Sequence, residues 1–538
     1  MTAAPAPPPA ETLLAPPLPQ ETRRPGPRTR APMWLWLPAL VALLPTLVPF
    51  GFLIGRVVGK GATAAGVVFS ANTGRLVGNT ILLIVLVVAT TAVIGVGAAW
   101  LTERTDLPGR RLWRVVVALP LVIPSYVIAL ALLAATGPSG LLQQMLGVSA
   151  PSLIGLPGAW AALALSTYPF VYLTAAIALR RMDPAHEEAA RGLGASPGRV
   201  FRTILLPQLR PSLGAGLLLV ALYTLSDFGA VSLVRFDSFT RVVYAQYAGR
   251  LDRTPAAVLA VLLVVLALAI VWAERATRGR AAYHGRPITR PVRIHRLSRG
   301  ARVGSLAGLT TLAAVSLGVP IGTLVGWLGR GTGAGRAFPW GAVGGSVAGS
   351  LLAAAVVALL ALPTAVLVTR HASRRTAWVE RAAYTVFALP HITVGLAVVF
   401  FSARYLGAWY QSLTVLVLVY GSIFFAQALG AARSSLLQVS PSVEEASRSL
   451  GAGSLTTMLR VTAPMVRRGL VAGSLLVFLT TMKELPATLL LRPTGFDTLA
   501  VGIWSAADSL LYSRAAAPAL LLIAVSSVPM YLLATRER

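Results

Sequence analysis

The chain of 538 residues has no cysteine, which excludes disulfides, thiolate nucleophiles and cysteine-ligated metals. Charge is scarce too. Only 12% of residues are charged, against about 25% in a soluble domain. Lysine occurs only at Lys60 and Lys483, and 18 acidic residues face 47 Lys plus Arg. A complete phosphate-binding loop, G-x-x-x-x-G-K-[ST], is also missing. The nearest stretch, Gly55 to Gly61, lacks one spacer residue and has no hydroxyl after Lys60. The chain therefore has no nucleotide site of its own. Inside the apolar runs there is no HExxH, no GxSxG and no clustered acid–base set, which argues against a membrane-embedded enzyme. The five histidines (186, 284, 295, 371 and 391) form no metal-ligand spacing, so no metal site is expected.

What the chain does have is apolar length. Hydrophobic residues make up 56% of it, and the mean hydropathy is +0.73. A bilayer core needs roughly 20 apolar residues per helical span. Twelve runs meet that need, near 33–55, 76–101, 114–136, 156–180, 212–234, 254–273, 303–328, 346–369, 381–402, 412–434, 467–491 and 515–535. The expected fold is an all-α polytopic membrane protein of about twelve transmembrane helices. The net charge of +29 would suit a nucleic-acid binder if it lay on one polar face among aromatics. Instead the arginines sit between apolar runs, as the positive-inside rule requires, and no nucleic acid is expected.

The arginines also orient the chain. Arg104, Arg110, Arg111 and Arg114 follow the second run, and Arg370, Arg374, Arg375 and Arg381 follow the eighth. Nine more lie within 274–302. With an even number of spans these segments share a side with both termini, which places both ends in the cytoplasm of a bacterial inner membrane. The expected division is a disordered Pro-rich tail at 1–31, a first half at 32–273, a basic linker at 274–302 and a second half at 303–538. The linker, with Gly279, Gly285, Pro287 and Pro291, reads as a solvated basic connector. His391, beside Pro390 in a span, reads as a packed core residue.

The halves repeat. A shift of 257 residues sets Glu188 on Glu445, Ala189 on Ala446, Gly194 on Gly451, Pro207 on Pro464 and Gly216 on Gly473, without a gap. Both copies lie in equivalent cytoplasmic loops, so the repeat is parallel and offers two equal docking surfaces. Inverted repeats, common in secondary transporters, would not do so.

The first loop, Glu187 to Pro207, has Glu188, Ala189 and Ala190, then Gly194, then Ile204, Leu206 and Pro207. The second has Glu445, Ala446 and Ser447, then Gly451, then Val461, Ala463 and Pro464. Small Ala side chains let a partner approach closely, and Glu suits a helix N-terminus. Gly194 and Gly451 suit the left-handed turn that ends a helix. Pro207 and Pro464 are expected to start the next segment.

This loop resembles the EAA loop of ATP-binding-cassette (ABC) importer permeases, and here it occurs twice. The resemblance implies the type I permease fold in two parallel-repeat halves. It implies no cofactor in the chain itself, because ATP is bound by partner ATPase subunits, either two copies or a pair. It also implies a separate substrate-binding protein, periplasmic or extracellular, with the lipid bilayer as the surroundings.

Beyond each loop a span carries an acid. The shift sets Asp227 on Glu484, and Lys483 precedes the latter. Acids inside apolar spans are costly and usually face a cavity or a partner. Asp227, Lys483 and Glu484 could line a translocation path. The alternative is that the two acids cap or break helices where Gly229 and Pro486 follow. The stretches SDFGAVSLVRFDSFT (226–240) and KELPATLLLRPTGFDTLAVGIW (483–504) resemble ferric-iron importer permeases. Fused thiamine permeases share the architecture, and an ion-coupled secondary transporter is the more distant alternative.

Overall fold

The computed structural model describes residues 31–137, 140, 143, 144, 147, 151–277, 294–329 and 338–536. The tail through residue 30 and linker residues 278–293 lie outside them. The described chain is helical. It has no strand and only one isolated bridge, between Thr105 and His295.

Ten helices are long and apolar enough to cross a bilayer. The first half contributes Met33–Val58, Ala71–Arg104, Leu156–Arg180, Gly198–Ser226 and Thr254–Glu274. The second contributes Arg299–Gly329, Trp340–Arg370, Leu413–Leu437, Ser454–Met482 and Tyr512–Pro529.

The remaining two runs, near 114–136 and 381–402, are not straight spans. Each is a pair of helices bent by 94° (Arg110–Val122 with Ser125–Ala135) or 103° (Arg374–Ala388 with His391–Tyr405). The cause is local. Ile123 and Leu389 each precede a proline, which pushes a residue out of the α region. Ile123 (ψ 121°) and Leu389 (ψ 139°) are extended, and so are Pro124 and Pro390 after them. Two consecutive extended residues turn the chain.

A second departure concerns Pro207 and Pro464, which do not start new segments. The helices run continuously through them, from Gly198 to Ser226 and from Ser454 to Met482. Just before each proline the helix widens into a π turn, Phe201–Leu205 and Met458–Thr462. Proline has no N–H for the preceding turn, and a π turn is a common way for a helix to absorb such a defect.

The first helix of each half packs on the other half. Trp36–Val58 lies against Trp340–Arg370, His391–Tyr405 and Leu413–Leu437. Val319–Gly329 lies against Ser125–Ala135. The buried cores follow this exchange: Leu43 and Leu53 share a core with Ile392 and Phe425, while Leu309 and Leu324 share the other with Val127 and Leu179.

Within each half the fourth and fifth spans cross at a glycine. A Cβ on Gly216 would sit 3.2 Å from Val171 Cα, and one on Gly473 would sit 2.8 Å from Ala428 Cα. Both contacts obey the shift of 257. Small residues let membrane helices approach backbone to backbone where apolar burial alone gives no drive.

Candidate functional site

Each repeated loop folds as a short helix, a tight turn and the start of the fifth long helix. The short helices are Ala185–Gly192 and Pro441–Ser449. Both end in the same way. Gly194 (φ +82°) and Gly451 (φ +88°) are left-handed. Ala195 N–H donates to Ala190 O (3.0 Å), and Ala452 N–H donates to Ser447 O (3.2 Å). This six-residue closure with a left-handed glycine satisfies the last helical carbonyls.

The two glutamates of each pair have opposite fates. Glu188 and Glu445 are exposed, as are Ala189, Ala446, Gly194 and Gly451. Glu187 and Glu444, one position earlier, are buried. Glu187 is held by Arg104 (3.3 Å) and faces His295 (2.9 Å). Glu444 is held by Arg370 through two contacts, 3.1 Å and 3.2 Å. Arg104 and Arg370 each end the second long helix of their half. They are therefore partners of the loop rather than free positive-inside charges, and the short helix is tied to its own bundle through an ion pair. The exposed face that remains is apolar at its tip, where Leu193 is 90% and Leu450 89% exposed.

The reading from sequence placed the docking role on Glu188 and Glu445 and did not anticipate that Glu187, Glu444, Arg104 and Arg370 anchor the loop. One signal was present, since both glutamates of each pair align under the shift. The arginines align only under a shift of 266, Arg104 to Arg370, because the second half is nine residues shorter in the loop before the fourth span.

At the far ends of the fifth helices the acids sit at breaks. Asp227 ends Leu206–Ser226, and Glu484 follows Ala463–Met482. Both are buried. Asp227 Oδ1 accepts from Ala230 N–H (3.0 Å) and Val231 N–H (3.3 Å), and Glu484 Oε1 accepts from Ala487 N–H (3.0 Å). Each thus caps the short helix that follows.

The other carboxylate oxygen reaches the bent pair of its own half. Ser125 donates to Asp227 Oδ2, and His391 Nδ1 lies 2.7 Å from Glu484 Oε2. Ser125 and His391 are equivalent, each the first residue after the breaking proline. His391 is therefore the partner of Glu484 rather than a plain core residue. Lys483 crosses between the halves and donates to Leu121 O (3.0 Å) at the first break. Tyr126 lies within electrostatic reach of both Asp227 and Glu484. The breaks of the two halves thus meet through Lys483 and Leu121. Among the described residues, no three His, Asp or Glu side chains converge as a metal-binding group.

Known proteins share this sequence over much of its length. Residues 91–280 and 361–536 match the family described as "Binding-protein-dependent transport system inner membrane component". The chain is 31% identical over 511 residues to the Fe(3+)-transport system permease protein FbpB 2 of Haemophilus influenzae, covering 94% of this chain and 98% of that protein. It is 33% identical over 204 residues to the molybdenum transport system permease protein ModB of Escherichia coli K12, covering 35% of this chain and 87% of that protein. It is 35% identical over 146 residues to the sulfate transport system permease protein CysT of Salmonella typhimurium, covering 26% and 52%.

Proposed function

We propose that this chain, which belongs to the family of binding-protein-dependent transport system inner membrane components, passes ferric iron across a bacterial inner membrane for an ATP-driven importer. The observation that carries the cargo is the end-to-end likeness to an Fe(3+) permease, which spans both halves. The molybdenum and sulfate relatives named above match over about a third of the chain or less.

In this reading both termini and both short helices face the cytoplasm. Two ATPase subunits, identical or paired, dock on the surfaces around Leu193 and Leu450, and a binding protein delivers cargo on the opposite side. ATP hydrolysis belongs to those partners, and this chain needs no cofactor. Each short helix is bonded to the second long helix through Glu187–Arg104 or Glu444–Arg370. It also leads into the helix that ends at Asp227 or Glu484. A helix is stiff along its axis, so movement at the loop reaches the break with little loss. Separating the halves there requires Lys483 to leave Leu121 O.

The test is transport by the full chain in proteoliposomes with its ATPase and binding protein. Radiolabelled ferric iron is expected to enter in an ATP-dependent way. Uptake of thiamine, sulfate or molybdate without iron would overturn the cargo assignment.

A narrower experiment addresses the acids. Asp227→Asn and Glu484→Gln keep an oxygen that accepts the capping N–H bonds but remove the charge. Uptake is expected to fall at least about tenfold, which corresponds to about 1.4 kcal/mol on the path, with thermal stability held. Unchanged uptake would leave the acids as helix caps alone.

A further inference from the structure

The two short helices are not held alike. In the second half Glu444 Oε1 accepts from Thr462 Oγ1 (3.2 Å) as well as from Arg370. Arg370 also donates to Leu436 O (3.3 Å) and Val439 O (3.0 Å). In the first half the residue equivalent to Thr462 is Leu205, which has no hydroxyl to give. Arg104 makes only the single 3.3 Å contact with Glu187.

The place left by the missing hydroxyl is taken by His295, which comes from the linker between the halves. Its Nε2 faces Glu187 Oε1 at 2.9 Å, out of hydrogen-bond alignment. The ring stacks on Trp100, with centroids 5.1 Å apart. His295 is fixed by its backbone: its N–H donates to Arg104 O (2.7 Å), and its carbonyl accepts from Asp106 N–H (3.1 Å). Asp106 then accepts from Leu297 N–H (2.9 Å) and pairs with Arg302 (2.8 Å). The Leu297 N–H, ahead of Arg302, holds the Asp106 carboxyl below the usual carboxylate range. The described end of the linker is thus pinned to the first half through His295 and Leu297, while Ile294, Arg296 and Ser298 stay exposed. Trp100, Glu187, Arg191, Leu205, His295 and Arg296 line a cavity of about 560 Å³ at this point.

We propose that the described end of the linker, residues 294–298, is a strut for the first short helix alone, and that its His295 is the positioning residue that holds Glu187. The coupling reading is needed only for the effect on transport, because the strut itself is a property of this chain. Burial, helped by Arg191 and Arg104, outweighs the attraction of Glu187 and lowers the His295 pKa below its usual value of 6.5. Arg296 adds a like charge from the same segment. A base with a lowered folded pKa binds fewer protons docked than free, so docking weakens as pH falls below about 6.5.

The test is hydrogen exchange of the full chain in lipid nanodiscs, with residues 441–452 as the internal reference for residues 185–195. His295→Ala is expected to speed exchange of 185–195 about fivefold, the change from about 1 kcal/mol of lost polar contact and ring packing, with 441–452 unchanged. Asp106→Ala, which frees the linker elsewhere, is expected to reproduce this, and His295→Gln to restore protection. In the unaltered chain the ratio between the two segments should rise as pH falls from 7 to 5.5, and His295→Gln should abolish that trend. Equal loosening of both segments, or none, would overturn the strut. In the assembled transporter His295→Ala should raise the ATP hydrolysed per cargo. A loosened helix with an unchanged ratio would leave the strut standing and count against the coupling reading instead.

Discussion

Replacing Leu193 and Leu450 together by Asp is expected to abolish ATPase binding and transport while leaving the bundle as stable as before. Both leucines stand almost fully clear of their own chain, at 90% and 89% exposure. Neither side chain therefore contributes apolar burial to the fold, and an exposed polar replacement typically changes stability by less than about 0.5 kcal/mol. Each precedes the left-handed glycine that closes the short helix, so each projects from the tip of a rigid turn. A leucine so presented suits burial in a partner's pocket. A carboxylate forced into that pocket would lose its water without gaining a partner. At least about 2 kcal/mol per site is the usual loss at such an anchor, so two sites together weaken assembly by about a thousandfold. The check is co-purification of the ATPase with the full chain, alongside its thermal midpoint. Retained ATPase would show that docking lies elsewhere, and a lowered midpoint would show that the leucines serve the fold.

How much of this was open to inspection without coordinates differs from element to element. The apolar runs were legible because a bilayer demands a fixed length of apolar chain, and ten of them fall on helices long and apolar enough to cross it. The two bends were not. Hydropathy continues across Pro124 and Pro390, and prolines also sit inside unbroken helices at Pro169 and Pro363, so a proline in the sequence does not by itself distinguish a bent pair from a span. The exchange of first helices was equally hidden. Trp36–Val58 is apolar whichever half it packs on, and nothing in its periodicity names the partner.

The repeated loops were legible in position and turn geometry, because left-handed Gly194 and Gly451 leave a residue-type signature. Their internal anchors were not. An alignment held at a shift of 257 cannot bring Arg104 onto Arg370, and the nine-residue difference that resets it lies in the loop before the fourth span. His295 was hidden for another reason. Arginine-rich surroundings read as solvated linker, and the missing hydroxyl at Leu205 acquires meaning only once Thr462 is seen beside Glu444.

The buried ion pairs support the other large effect. Arg370→Ala is expected to lower stability by about 3–5 kcal/mol, because it leaves the Glu444 carboxylate buried with only a threonine hydroxyl for company. Arg104→Ala should cost a similar amount at Glu187. There the loss includes a side chain that is fully buried, with Nε and one terminal nitrogen unpartnered even in the intact protein. Those idle donors mean the Arg104 pair has not recovered its desolvation cost in full, so its net stabilisation is the smaller of the two. Removing both members separates stability from function. Replacing Arg370 and Glu444 together by Met takes out both charges at once, and well-packed apolar replacements of buried pairs are often neutral or stabilising. Thermal stability should therefore return most of the way. Transport should not, because the short helix would then rest against its bundle through non-directional contacts that can slide under load. Thermal midpoints of the single and double variants in detergent, set beside uptake in proteoliposomes, provide the check. Recovery of both quantities in the double variant would mean that the pair serves folding alone and that movement of the loop is carried by the continuous helix from Ser454 to Met482.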